Sequence, residues 1–197
     1  MKRIAHYLVS GDINEDMLRD FIFFLRHDVS SNCEILEVGI ASNGGAIGIG
    51  IAMYELLKAT PQIVRTINLS NVDSAAIVVY AAGAERLCVP NAAFYFHSVG
   101  KKVDGVKTKA DLVNIINEID FDTSRIVSIL NRTTKMPERH WRELMFQGGV
   151  VGAQDSLNYG LSTALVQQHG ENGTGKCPQQ FQKACDSRKT RKAHCKT

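Results

Sequence analysis

Ser74 and His97 are the residues of this 197-residue chain whose types and positions most directly suggest a reaction. Ser74 separates a strand-like stretch from an apolar helix-like run, where a hydroxyl lies beside backbone N–H groups without partners in the first helical turn. His97 ends an aromatic strand-like stretch 23 residues later. A serine at such a position is often only a helix N-cap. A neighbouring base would make its hydroxyl nucleophilic, so the pair indicates covalent catalysis as the alternative.

The glycine pair Gly44-Gly45 is a second candidate, because it joins another strand-like stretch to an apolar helix-like run. Adjacent glycines let the backbone approach a ligand closely, and the N–H groups that open the next helix can hold a negative charge. Neither a dinucleotide-binding fingerprint nor a Walker A motif follows. The pattern therefore predicts a tight turn that either serves packing or binds an anion.

No metal or cofactor is predicted. His6, His27 and His140 lack the spacing of metal ligands. Zinc could be bound by Cys177, Cys185, His194 and Cys195, but gaps of seven and eight residues differ from the short cysteine pairs of structural zinc sites. We expect this part of the chain to be a solvated extension.

Apolar periodicity places these candidates on a regular frame in which strands alternate with helices. The predicted strands are 4–9, 34–40, 63–69, 87–89 and 93–96, and the predicted helices begin after Asn14 and cover 46–58, 75–82, 109–132 and 153–159, with one more helix starting at Pro137. This alternation predicts an α/β fold with a mostly parallel sheet, whose functional groups lie at the carboxyl ends of the strands. Gly45, Ser74 and His97 all follow such ends.

Composition limits the remaining possibilities. The 23 basic and 20 acidic residues are unevenly placed, since 171–197 holds seven basic and two acidic residues and leaves 16 basic and 18 acidic before it. A slightly acidic body gives no nucleic-acid footprint, and no apolar run is long enough to span a membrane. Five irregularly spaced cysteines fit no disulfide framework, so a cytoplasmic protein is expected. We predict one domain over 1–168 and a basic, disordered tail over 169–197.

Taken in order, several segments resemble the ClpP family of serine peptidases (peptidase family S14), within the wider crotonase-like fold. The resemblance covers about 3–165 and depends on Ile40-Ala41-Ser42-Asn43-Gly44-Gly45, Ala52-Met53-Tyr54, Ser74-Ala75-Ala76, Tyr80-Ala81-Ala82-Gly83-Ala84, Arg86-Leu87-Cys88-Val89-Pro90-Asn91 and Phe96-His97. Asn43 stands where the family has proline. The resemblance implies a single domain of repeated β-β-α units in a spiral, with a long oligomerisation helix.

Carried over position by position, the resemblance implies that Ser74 is the nucleophile and His97 the general base. The backbone N–H groups of Gly45 and Ala75 would form the oxyanion hole, whose donors are each worth about 10²–10³ in rate. The family's catalytic aspartate precedes a segment matched by 159–161, and this alignment places Gly148 at the acid position. Loss of that acid costs about 10⁴ in a serine triad. Asp155, Glu143 and Asp122 are candidate substitutes between which spacing does not choose, so the triad acid is unknown.

Three functions follow from the resemblance. The first is a serine endopeptidase that cleaves peptide or unfolded-protein substrates through a Ser74 acyl-enzyme. The second is a non-catalytic scaffold subunit that has lost the acid, and the third is a crotonase-type acyl-CoA enzyme with a comparable oxyanion hole. The helix over 109–132 resembles the element that joins two heptameric rings, which implies a homo-oligomeric ring, with a double heptamer as one form. An AAA+ unfoldase is a further implied partner, whereas nucleic acid and membrane are not.

Overall fold

The computed structural model describes residues 3–27, 29 and 33–166 and has a mixed α/β architecture. Its strands are β1 (Ile4–Ile13), β2 (Ile35–Gly45), β3 (Ile63–Asp73), β4 (Glu85–Cys88), β5 (Ala93–Phe96), β6 (Gly149–Gly152) and β7 (Ala164–Leu165). Its helices are α1 (Glu15–His27), α2 (Ile47–Ala59), α3 (Ala75–Ala81), α4 (Lys109–Thr133), α5 (Glu138–Gln147) and α6 (Ala153–Asn158). The segment 169–197, for which a disordered tail is predicted, lies outside the described residues.

The seven strands form one sheet in the order β1-β2-β3-β4-β7, with β5 paired to both β3 and β6. Every pair is parallel except β5 with β6. This confirms the α/β fold class with a largely parallel sheet. The alternation of strand and helix explains it, because a parallel neighbour requires a crossover connection.

Strand β3 has two partners along its length. Residues 65–68 pair with β4, whereas the last three residues, 71–73, pair with β5. The end of β3 therefore leaves one neighbour and joins another just before α3 begins. This divergence brings the chain around Ser74 beside the end of β5.

Helix α3 lies at the centre of the core, and all seven of its residues are buried. A helix that is apolar on every side needs a core on every side. It packs against β2, β3, α2 and α4. The Tyr80 hydroxyl donates to the carbonyl of Leu87 at 3.0 Å and lies within hydrogen-bond distance of Ser162 Oγ, at 2.8 Å. The one polar side chain of α3 is therefore satisfied.

Arg86 on β4 joins several elements through its guanidinium. It donates to the carbonyls of Gly83, Thr133, Gly160 and Leu161, at 2.8–3.1 Å. These carbonyls follow the ends of α3, α4 and α6, where helices leave acceptors without partners. One side chain thus satisfies backbone acceptors at the ends of three helices.

The structure differs from the sequence prediction at several boundaries. β1, β2 and β3 each extend to the following helix, so the expected turn at Gly44-Gly45 is the end of β2, where Gly45 pairs with Ile13. Pro137 is the N-cap of α5 rather than its first helical residue. β6 and β7 were not predicted. Glycine has a low intrinsic preference for strands, and pairing with a neighbouring strand overrides this preference at both Gly44-Gly45 and β6.

Helix α4 has two different halves. Its buried residues are Ile126, Val127, Ile129 and Leu130, all in the second half. In the first half, which begins with a Thr108–Asp111 capping box, the expected apolar stripe is exposed, with 48% of Leu112 and 57% of Ile116 accessible. None of the helices in the described part of the chain combines the length and apolar character needed to cross a membrane.

Candidate active site

Ser74 occupies the sharp connection between β3 and α3. Its φ of 53° makes it the only non-glycine residue with positive φ in the described chain, and such a backbone costs of order 1–3 kcal/mol. Its side chain makes no capping hydrogen bond, although it stands at the N-cap position. The N-cap alternative therefore does not account for this serine. A strained strand-to-helix turn that presents a serine hydroxyl is the geometry of nucleophile elbows.

His97 immediately follows β5 and is exposed. Its Nδ1 lies 2.8 Å from the carbonyl oxygen of Ser98. A carbonyl can only accept, so this hydrogen bond holds the proton on Nδ1 and leaves Nε2 free to act as a base. The Ser98 hydroxyl in turn donates to the Met145 carbonyl at 3.1 Å, which ties the segment to α5.

Ser74 and His97 line the same small pocket. The other lining residues are all apolar, namely Ile77, Phe96, Val99, Ile126 and Met145. The Ser74 backbone N–H also donates to the Tyr95 carbonyl at 3.1 Å, which fixes the serine beside the strand that carries the histidine. The structure thus brings together the two side chains whose pairing suggested nucleophilic catalysis.

The two glycines at the end of β2 have different surroundings. A Cβ on Gly44 would lie 2.7 Å from the Asp73 carbonyl oxygen and 2.8 Å from Ser74 Cβ, so the Gly44 backbone packs directly on the elbow. A Cβ on Gly45 would instead collide with Ile13. The roles of the Gly45 and Ala75 N–H groups in an oxyanion hole stay predictions. The sequence did not single out Ser42, whose hydroxyl accepts from the Gly44 N–H and donates to the Gly11 carbonyl.

The strand register explains why an acid at position 148 would serve the histidine. Phe96 of β5 pairs with Gly149 of the antiparallel β6, so continuing the register by one residue sets His97 opposite Gly148. A Cβ on Gly148 would meet only the Phe96 carbonyl oxygen, at 3.8 Å, so space for a side chain exists there. Position 148, which the resemblance aligns with the family's acid, is thus opposite His97 in this register and holds no carboxylate.

The three substitutes named from the sequence lie elsewhere. Asp122 pairs with Lys101 and Arg125, at 3.0 and 3.3 Å. Glu143 accepts from Gln147, and Asp155 lies exposed in the first turn of α6. Within the described residues, none of the three forms an ion pair with a histidine.

Asp73 is the carboxylate whose energetics involve His97. Burial raises the pKa of its carboxyl group, and the positive charge that His97 can carry offsets part of this rise. Its Oδ1 is buried without a hydrogen-bond partner in the described structure. The sequence analysis gave Asp73 no role, because its neighbourhood depends on the pairing of β3 with β5.

No cluster of three or more candidate metal ligands occurs among the residues that the structure describes. The proposed zinc ligands Cys177, Cys185, His194 and Cys195 lie outside this part of the chain.

Comparisons with known proteins agree with this architecture. A model of the Clp protease family matches residues 3–169. The ATP-dependent Clp protease proteolytic subunit of Paracoccus denitrificans is 23% identical over 169 residues, which cover 85% of this chain and 84% of that protein. Proteolytic subunit 2 of the ATP-dependent Clp protease from Streptomyces coelicolor is 29% identical over 133 residues, covering 66% of this chain and 61% of that protein.

A solved structure of a ClpP1 mutant from Listeria monocytogenes shares the fold. The TM-score is 0.72 at 18% sequence identity, and the match covers 83% of this chain and 92% of that one. Fold and site define an α/β protein with a serine on a strand-to-helix elbow and a histidine beside it. The chain belongs to the Clp protease family.

Proposed function

We propose that this chain is a serine endopeptidase that cleaves peptide bonds through an acyl-enzyme on Ser74. The observation that carries the proposal is the strained backbone of Ser74, which presents an uncapped hydroxyl in the pocket that His97 also lines. The Nδ1 contact with Ser98 supports it, because a protonated Nδ1 leaves Nε2 as the base.

In the proposed reaction, Ser74 Oγ attacks the scissile carbonyl carbon while His97 Nε2 takes the hydroxyl proton. The tetrahedral intermediate would place its oxyanion at the Gly45 and Ala75 N–H groups. His97 then gives its proton to the leaving amine as the C–N bond breaks. Water attacks the resulting ester with its proton passing to His97, and the acid product leaves as Ser74 regains a proton.

A groove beside the catalytic pocket suits an extended peptide. It has a volume of about 660 Å³ and shares Val99 and Met145 with the pocket of Ser74. Its rim includes Arg139, Arg142 and Glu143. Binding sites for small ligands usually have volumes in this range.

The proposal includes assembly into a homo-oligomeric ring. The exposed apolar side chains on the first half of α4 support it, because exposed apolar patches of this kind mark interaction sites. The named relatives are proteolytic subunits of ATP-dependent proteases, so an AAA+ unfoldase is the proposed source of unfolded substrate.

The test is labelling of the purified, assembled protein by an active-site fluorophosphonate. Time-dependent labelling is expected at Ser74, and Ser74→Ala is expected to abolish it. His97→Ala should slow it by about 10²–10⁴, the usual contribution of a positioned general base. Equal labelling of an assembled wild-type protein and its Ser74→Ala variant would contradict the proposal.

A non-catalytic scaffold subunit is the second candidate, favoured by Gly148 at the acid position. It predicts a stable oligomer without Ser74 labelling or peptide cleavage. A crotonase-type enzyme would instead bind acyl-CoA, which isothermal titration detects.

A further inference from the structure

We propose that Asp73 supplies the negative charge that stabilises protonated His97 during catalysis, while the Ser98 carbonyl fixes the tautomer of the ring. This inference rests on the proposed serine peptidase function. In a serine triad, one aspartate both orients the histidine and stabilises the imidazolium that forms. Here these two tasks are divided between a backbone carbonyl and the residue that precedes the nucleophile.

The strand register places Asp73 and His97 on one face of the sheet. Asp73 pairs with Tyr95 across β3 and β5, and His97 follows Tyr95 by two residues. Side chains two residues apart in a strand point to the same face. The burial pattern agrees, because Phe94 and Phe96 are buried while Tyr95 and His97 are exposed.

Within the part of the chain that the structure describes, Asp73 forms no ion pair. Its Oδ1 is buried and accepts no hydrogen bond within the described residues, and His97 is the charged group that acts on it. A carboxylate oxygen that is buried without a partner is costly, so its retention calls for a reason. Stabilisation of a cation that exists only during catalysis provides one, because the cost in the resting protein is recovered in the transition state.

Apart from His97, the side chains that line the pocket of Ser74 carry no charge. They are Ile77 from α3, Phe96 and Val99 from β5 and the segment after it, Ile126 from α4 and Met145 from α5, so none of them competes with Asp73 for this role. Asp73 acts through His97 and is therefore a positioning residue rather than a catalytic one.

The experiment compares Asp73→Asn with wild type in the assembled protein, using the rate of fluorophosphonate labelling at Ser74 as a function of pH. Asparagine keeps the shape and removes the charge. We expect the plateau labelling rate to fall by about 10- to 100-fold. This is less than the loss of about 10⁴-fold in a serine triad without its aspartate, where the histidine also takes the wrong tautomer. The acid limb of the profile should move to lower pH, since removal of a nearby anion makes protonation of the imidazole less favourable. Asp20→Asn, which removes the same charge from an exposed position on α1, is the matched control and should label like wild type.

Thermal stability separates this role from a structural one. Burial raises the Asp73 pKa, so the folded state disfavours the ionised form. Ionisation of Asp73 therefore lowers the free energy of unfolding. This loss is fully present above the raised pKa and disappears as the pH falls below the ordinary aspartate pKa of about 3.9. At neutral pH, the melting temperature of Asp73→Asn should therefore be at or above that of wild type, and the difference should vanish on acidification.

Each outcome decides the inference. Labelling of Asp73→Asn at the wild-type rate with an unchanged pH profile would overturn the role of Asp73 and leave the peptidase proposal standing. Faster labelling, or a loss of rate matched by a lower melting temperature and no change in pH profile, would also overturn it. If wild type itself is not labelled at Ser74, both proposals fail together.

Discussion

Ser74 and Gly148 show how single residues define and limit the proposed chemistry. The backbone of Ser74 is held at a positive φ that only a tightly packed neighbourhood can maintain, which is typical of functional sites. Gly148 also has a positive φ, 73°, but lacks the side chain that its place beside His97 would allow. One position thus keeps a costly backbone conformation, while the other has no carboxylate beside the proposed base.

Restoring the acid at position 148 gives a direct prediction. Gly148→Asp is expected to raise the Ser74 labelling rate by about tenfold in the Asp73→Asn background. A Cβ fits at position 148, and continuing the strand register sets that position opposite His97. The positive φ should cost about 1–2 kcal/mol of stability. Fluorophosphonate labelling and thermal melting measure the two effects.

Gly152→Asp is the matched control, since it adds the same charge at the other end of β6 where a Cβ has open space. It should leave the labelling rate unchanged. If both variants raise the rate equally, the effect comes from added charge in general and the placement of Gly148 beside His97 is not its cause.

At the scale of elements, the elbow depends on close packing between the end of β2 and the start of α3. Gly44 touches both Asp73 and Ser74 and has a φ of 90°. Ser42, which is buried, holds the Gly44 N–H from within the same strand. Gly44 therefore supports the backbone of the Ser74 elbow by close packing.

Gly44→Ala is expected to destabilise the protein by about 2–3 kcal/mol, from strain at positive φ together with overpacking against the elbow. This corresponds to a fall of about 4–12 °C in melting temperature. Ser74 labelling should decrease with it, because the added methyl group displaces the serine backbone.

Gly48→Ala tests the same substitution four residues later, in α2, where a Cβ meets nothing within 4 Å. It should stabilise the protein by about 0.5–1 kcal/mol through the usual difference between alanine and glycine in helices. A Gly44→Ala variant as stable as Gly48→Ala would show that the elbow is not tightly packed.

Sequence patterns predicted the elements that carry Ser74 and His97, because strand and helix periodicity there agrees with the final fold. They did not predict β6, in which two of four residues are glycine, or the extension of β2 through Gly44 and Gly45. Both depend on partners distant in sequence, since β6 exists by pairing with β5 and Gly45 by pairing with Ile13. The neighbourhood of Asp73 was missed for the same reason.

At the scale of the whole molecule, the first half of α4 exposes large apolar side chains that the rest of the described chain does not cover. Leu112, Val113 and Ile116 are 46–57% exposed there, although they are large and apolar. A single chain gains nothing from exposing such side chains on one helix. A second copy that covers them would bury this surface.

Ile116→Glu is therefore expected to weaken assembly, because burying an unpaired charge in an apolar contact is costly. Sedimentation velocity should show smaller species, with an unchanged circular dichroism spectrum. Asn114→Glu introduces the same charge on another side of the helix and should assemble like wild type. If both variants assemble normally, this half of α4 is not the contact between copies.

The pairing of β3 with β5 has a consequence for how the site comes into being. Asp73, Ser74 and His97 all lie within 73–97, and one strand pairing brings them together. An acid at position 148 would require a distant segment to dock before the constellation is complete. Short loops cost less chain entropy to close and form faster. Under the proposed role of Asp73, the nucleophile, the base and the charge depend on one strand pairing that is close in sequence, whereas the apolar side of the pocket still requires α4 and α5.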